Sequence, residues 1–155
     1  MKLHSGSVEE TRQIGARLAE QLRAGDVLLL QGEMGAGKSE LARGIARGLG
    51  VKGYVTSPTF TILQVHETGR LPLYHFDWYR LSGAGELYEL SMDEYLYGDG
   101  VAVIEWPSRA AEALPDTFLA ISLVRSGEGG RELDIRPAGG FHRLDESLLA
   151  GRGTA

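Results

Sequence analysis

The stretch Gly32-Glu33-Met34-Gly35-Ala36-Gly37-Lys38-Ser39 fits the phosphate-binding loop pattern Gly-x4-Gly-Lys-Ser/Thr. It constrains the fold strongly, because such a loop needs a strand to deliver it and a helix to leave it. The flanks supply both. Val27-Leu28-Leu29-Leu30 reads as a short buried strand, and Leu41, Ile45 and Leu49 recur at helical spacing. Glycines at 32, 35 and 37 let the backbone bend into a concavity lined by N–H groups. The helix adds its positive N-terminal end. Lys38 is placed to reach the outer phosphates, and the Ser39 hydroxyl to meet a magnesium ion. A glycine-rich turn that matches by accident is the competing reading. Glycine is indeed abundant, at 22 of 155 residues, but lysine occurs only at 2, 38 and 52. The pattern therefore points to nucleotide binding.

The chain length predicts one domain spanning residues 1–155, large enough for a real core. Cysteine is absent, which excludes a disulfide framework, a thiolate metal site and a thiol nucleophile. Met1 to Gly6 lacks the apolar core of a signal peptide, and no run approaches the roughly 20 apolar residues of a membrane span. A cytoplasmic protein with no membrane partner is expected. A net charge of −5, with thirteen of sixteen basic residues being arginine, argues against a self-sufficient nucleic-acid surface. Between Leu81 and Gly100 stand Glu86, Glu89, Asp93, Glu94 and Asp99 with no base. That stretch reads either as a solvated helical face or as a docking surface for a basic partner protein.

Along the chain, Ser7-x-x-Glu10 is a capping-box pattern opening a helix with Ile14, Leu18 and Leu22 on one face and Gly25 beyond its end. A strand is expected over about 27–31, and the loop helix runs to about 49. Thr59 to Val65 and Leu71 to Phe76 read as two strands joined by the hairpin-like Glu67-Thr68-Gly69-Arg70. Short helical stretches follow around 84–90 and 91–97. Val101-Ala102-Val103-Ile104 has the continuous apolar character of a central strand. Phe118 to Val124 and Glu132 to Ile135 form a second hairpin, and Phe141 to Leu149 predicts a closing helix. The sum is a three-layer α/β domain of the P-loop kind, its mixed sheet containing antiparallel hairpins.

Chemistry at such a loop requires an acid near the metal, usually just past a buried strand. Glu105 ends the run 101–104, so a central strand would deliver it to the carboxyl end of the sheet. Asp77 ends Leu71 to Phe76, where Pro72 and His75 suggest an edge or half-buried strand. His75 and Asp77 would share one strand face. Ser57-Pro58-Thr59-Phe60-Thr61 reads as an ordinary turn into a strand or as a nucleotide-sensing segment. Histidines 4, 66, 75 and 142 lack metal-ligand spacing, and no Asn/Thr-Lys-x-Asp segment selects guanine.

Four segments occur together in order: the loop at 32–39, Ser-Pro-Thr-Phe-Thr at 57–61, Tyr-His-Phe-Asp-Trp-Tyr-Arg-Leu at 74–81 and Ile-Glu-Trp-Pro at 104–107. The combination resembles the TsaE (YjeE) family, small bacterial ATPases required for making threonylcarbamoyl-adenosine in tRNA. The resemblance implies that Met34, Gly35, Ala36, Gly37, Lys38 and Ser39 hold the phosphates of ATP, and that Ser39 and Glu105 hold Mg2+. It implies that Asp77 takes the Walker-B-like acidic position and acts with Lys38 in hydrolysis. Thr59 and Thr61 fall in a switch-like segment, Trp106 lies beside the site, and Arg131 matches a position near the nucleotide. The family works with TsaB and TsaD, TsaD transferring the threonylcarbamoyl group to the adenosine beside the anticodon. tRNA is then met only through the complex, and intrinsic hydrolysis should be slow and partner-stimulated. Ser39-Glu40 stands where the family usually has Thr-Thr, and Glu33-Met34 where it commonly has Asp-Leu. Glu40 would weaken nucleotide binding if its charge pointed inward. A small-molecule kinase is the alternative reading. The arginine-free stretch 82–100 counts against a lid there, while Arg125 and Arg131 keep the idea open.

Overall fold

The computed structural model describes residues 1–53, 58 and 60–151, so Thr59 lies outside the described residues. In chain order the elements are β1 (Lys2–Ser5), α1 (Val8–Glu20), β2 (Val27–Gln31), α2 (Lys38–Leu49), β3 (Leu63–His66), β4 (Leu73–Asp77), α3 (Ala84–Glu89), β5 (Val101–Glu105), β6 (Phe118–Ser126), β7 (Gly130–Ala138) and α4 (Glu146–Leu149). A 3-10 segment covers Asp93–Tyr97, and two 3-10 turns meeting at a kink at Ala110 cover Pro107–Ala113. The strands form one seven-stranded sheet in the order β1-β7-β6-β2-β5-β4-β3. Its centre, β6-β2-β5-β4, is parallel, and antiparallel pairs flank it on both sides.

Both sheet faces are covered. Leu28 and Leu30 of β2 and Val101 and Val103 of β5 pack with Leu18, Leu41, Ile45 and Leu49 of α1 and α2. The alternate residues Val27, Leu29, Ala102 and Ile104 pack on the other face with Phe76, Trp78, Leu87 and Leu96. Burial on both faces explains why β2 and β5 read as unbroken apolar runs. At the N-terminus of α1, Ser7 Oγ accepts from the Glu10 N–H at 3.1 Å. Glu10 returns its carboxylate to the Gly6 N–H at 2.6 Å, one residue before the cap.

Three expectations are corrected and one strand is added. The first β-strand of the 59–76 hairpin begins at Leu63, because Phe60 and Thr61 lie in a turn closed by the Ile62 N–H on the Pro58 carbonyl. Ile62 itself takes φ 69°, which breaks an extended run. β4 is no edge strand: it pairs with β3 and β5, and all five of its residues are buried. Pro72 sits just outside it, its carbonyl accepting from Val101. The closing helix is confined to Glu146–Leu149, capped by Asp145, whose side chain accepts from the Ser147 and Leu148 N–H groups. Ahead of it, His142 Nε2 lies 2.7 Å from Asp26 Oδ2. β1 is an addition, since Lys-Leu-His-Ser is too short and polar to announce a strand; it pairs along β7.

α1 and α2 approach so closely that glycine is required at their contact. A Cβ on Gly15 would stand 2.5 Å from the Leu41 carbonyl oxygen and 2.8 Å from the Ile45 nitrogen, and one on Gly44 would strike the Arg12 backbone. Gly44→Ala should destabilise by about 2 kcal/mol, overpacking outweighing the better helix propensity. That corresponds to a fall in Tm of roughly 4–8 °C for a domain this size. Gly85, in α3, has nothing within 4 Å of its notional Cβ. Gly85→Ala should leave the melting temperature unchanged or slightly raised, and paired thermal melts check both.

Candidate functional site

The loop leaves β2 at Gln31 and enters α2 at Lys38, bending through Gly35 and Gly37 at φ 79° and 107°. Gly37 is the N-cap residue of α2, a left-handed position where a side chain would be strained. Lys38 and Ser39 therefore begin the helix, at the end where N–H groups lack intrahelical acceptors. Beside the loop, β4 and β5 run parallel in a register that pairs Asp77 with Glu105. Both acids stand at the carboxyl ends of neighbouring strands, 6% and 4% exposed.

Lys38 is also buried, and its Nζ lies 3.7 Å from the centroid of the Trp106 ring. Burial lowers the Lys38 pKa, while the nearby Glu105 and Asp77 charges oppose that shift. Trp106 reaches this place because it adopts φ 58°, ψ 51°, turning the chain sharply at the end of β5. Its ring packs against Tyr79 at 5.0 Å between centroids, and the Arg109 guanidinium covers Tyr79 from 5.1 Å. Burial pushes the Asp77 carboxyl above the usual carboxylate range. A 2.9 Å bond from the Tyr79 N–H and the charges of His75 and Lys38 pull it down, and Glu105 pushes it further up. His75, fully buried, donates from Nε2 to Glu105 Oε2 at 2.8 Å, since an ionised carboxylate can only accept.

From the other side, β6 and β7 hold the loop. Arg131 Nε donates to the Ala36 carbonyl at 2.8 Å and its Nη2 to Gly35 at 3.2 Å. Arg125, the register partner of Arg131, donates to the same Gly35 carbonyl at 3.3 Å. Met34 is 65% exposed on the rim. Between these groups opens a cleft of about 420 Å³ lined by Gly35, Gly37, Lys38, Ser39, Asp77, Glu105, Trp106 and Arg131. A larger depression of about 930 Å³ lies elsewhere, between Met1 and residues 141–147, and contains none of these groups.

The structure thus gathers the loop, Asp77, Glu105, Trp106 and Arg131 into one cleft. Thr61 is exposed in the turn before β3 and is not among the cleft-lining residues. Glu40 also lines the cleft, but it is held between Arg12 at 2.6 Å and Arg43 at 2.9 Å, so its charge is compensated by two guanidiniums. The His75–Glu105 bond and the Arg125 contact were not anticipated from the sequence. His75 sits two residues before Asp77, but its partner lies on another strand. Arg125 could be placed only once the hairpin register was fixed.

Sheet, loop and cleft together define a P-loop NTPase-like protein. The profile of the family described as "Threonylcarbamoyl adenosine biosynthesis protein TsaE" matches residues 5–133. The chain belongs to the TsaE family. Relatives named tRNA threonylcarbamoyladenosine biosynthesis protein TsaE include one from Bacillus subtilis, 40% identical over 93% of this chain and 90% of the relative. One from Treponema pallidum is 42% identical over 87% and 99%, and one from Streptomyces coelicolor 48% identical over 90% and 99%. Among solved structures, Bacillus subtilis YdiB superposes with a TM-score of 0.78 at 35% identity, covering 99% of this chain and 94% of that one.

The raised Asp77 pKa has a consequence for stability. The folded state holds this proton more tightly than the unfolded chain, so the group's contribution to stability falls as pH rises from the ordinary Asp value through the folded one. Asp77→Asn keeps an oxygen for the Tyr79 N–H and removes the buried charge. It should melt at a higher temperature than the parent at pH 7, the difference shrinking towards pH 4. Melts across that range check the sign; an Asn variant less stable than the parent at pH 7 contradicts it.

Proposed function

We propose that this protein is a magnesium-dependent ATPase that serves threonylcarbamoylation of tRNA adenosine together with TsaB- and TsaD-type partners, in the cytoplasm. The observation that carries the reading is the meeting of a phosphate-loop lysine with two strand-end acids, Asp77 and Glu105, in one cleft beside the α2 N-terminus. The pathway comes from the names of the relatives. Among the described residues, no helix is long and apolar enough to cross a membrane.

In this reading the backbone of residues 34–39 wraps the phosphates and the helix end supports their charge. Lys38 leaves the Trp106 ring and takes the outer phosphate oxygens. The Ser39 hydroxyl and the Glu105 carboxylate are hard oxygen donors of the kind magnesium takes in company with phosphate. When bound, the metal neutralises charge developing on the phosphoryl oxygens. Asp77, its proton affinity raised by burial, orients and deprotonates the attacking water. Arg131 fixes the loop through the Ala36 and Gly35 carbonyls. Thr61, in the turn before β3, belongs to the segment that a partner would order. The acidic chain leaves tRNA contacts to TsaB and TsaD. A kinase gains no support here, since Arg125 and Arg131 both grip loop carbonyls.

Three substitutions separate the roles. Lys38→Ala should weaken ATP binding at least about thirtyfold. Glu105→Ala should raise the magnesium concentration needed for binding. Asp77→Asn should bind ATP normally but turn it over about 10²-fold or more slowly. Calorimetric titration with and without magnesium, and phosphate release with and without a TsaB–TsaD pair, read these out. Normal hydrolysis by folded Lys38→Ala, or stimulated hydrolysis unaffected by Asp77→Asn, contradicts the assignment.

A further inference from the structure

Magnesium-binding carboxylates are only as effective as their orientation, and the terminal torsion of glutamate is soft. Glu105 is not left to rotate. Its Oε2 is fixed by His75 Nε2 at 2.8 Å, beneath the cleft, with the imidazole fully buried and the carboxylate 4% exposed. The two residues lie on adjacent parallel strands. His75 pairs with Val103 and Asp77 with Glu105, so the ring reaches diagonally across the β4–β5 ladder to the next residue on the same face. Asp77 shares that face at the strand ends, and before His75 the face is apolar: Leu73, Val101 and Val103 pack into the core under α1 and α2. A leucine would fill such a place without the desolvation that an imidazole carries. The buried histidine therefore commits its Nε2 to the Glu105 carboxylate.

We infer that His75 is a positioning residue for the metal site: it occupies one oxygen of Glu105 and so presents the other, in a fixed orientation, to the cation. His75 is not itself a ligand, because magnesium favours oxygen donors and the imidazole nitrogen is directed at the carboxylate. It acts as an outer-shell partner of the kind that orients a ligating side chain. The inference rests on the proposed role of Glu105.

The test compares His75→Leu, which removes the donor, with His75→Gln, whose side-chain amide places a donor near the former Nε2. For each, binding of a non-hydrolysable ATP analogue is titrated calorimetrically as a function of magnesium. Direct Mn2+ binding is followed by electron paramagnetic resonance, and thermal melts are run alongside. His75→Leu should raise the half-saturating metal concentration about tenfold or more, while metal-free nucleotide affinity stays at the parental value. His75→Gln should recover most of that loss. A merely structural histidine would move the melting temperature without this selective, rescuable change in metal dependence. Parental metal dependence in His75→Leu overturns the inference. Should that variant fail to fold, His75→Asn, too short to reach Glu105, takes its place with the same criterion. Glu105→Ala serves as the control. If it raises the metal requirement while the His75 variants do not, the positioning role alone falls. If it leaves metal dependence intact, the assignment of Glu105 falls, and the His75 inference with it.

Discussion

Lys38, His75, Asp77 and Glu105 crowd together in a place where water hardly reaches, and the cleft depends on how their charges are offset. They are 5%, 0%, 6% and 4% exposed. A charge isolated in such surroundings would be neutralised or expelled. Here the His75 ring bonds Glu105, the Tyr79 N–H bonds Asp77, and the Lys38 ammonium leans on Trp106 while feeling the charges of both acids. Two carboxylates nonetheless share a single ammonium group. Burial raises the Asp77 pKa and lowers the Lys38 pKa; the Glu105 charge adds to the first shift and opposes the second. In the proposed function, nucleotide and metal complete it.

The scaffold makes the arrangement possible by bringing distant segments to one edge. Four parallel strands align the ends of β2, β5 and β4, so the loop, Glu105 and Asp77 become neighbours despite their separation in sequence. On the opposite side, the β6–β7 hairpin extends beyond β2 and clamps the loop carbonyls with Arg131 and Arg125. The loop is thus held from both flanks. The close α1–α2 contact through Gly15 and Gly44 fixes the axis of α2, and with it the direction in which Lys38 and Ser39 emerge.

How much of this could be read from the chain depends on whether the signal is local. The loop pattern, the apolar runs of β2 and β5 and the helical spacing of Leu41, Ile45 and Leu49 are local, and each lies where its pattern placed it. The acids Asp77 and Glu105 were legible as strand ends. Their pairing was not, since it requires the register of β4 on β5. Pro72 and His75 made β4 look like an edge because the partner that satisfies His75 comes from another strand. The strand expected from Thr59 begins only at Leu63, because a β-rich composition cannot reveal the left-handed turn at Ile62. The C-terminal segment looked helical by spacing, whereas tertiary contacts such as His142 with Asp26 hold its first half outside a helix.

The central claim is that nucleotide enters the cleft between the loop and the two acids and draws Lys38 off Trp106. Trp78, the other tryptophan, is fully buried, and its emission is what a Trp106→Phe variant retains. Trp106 emission followed during titration with an ATP analogue and saturating magnesium tests the claim most directly. The account predicts a saturable change in emission that Trp106→Phe abolishes. Saturable nucleotide binding by calorimetry with Trp106 emission unchanged would contradict it.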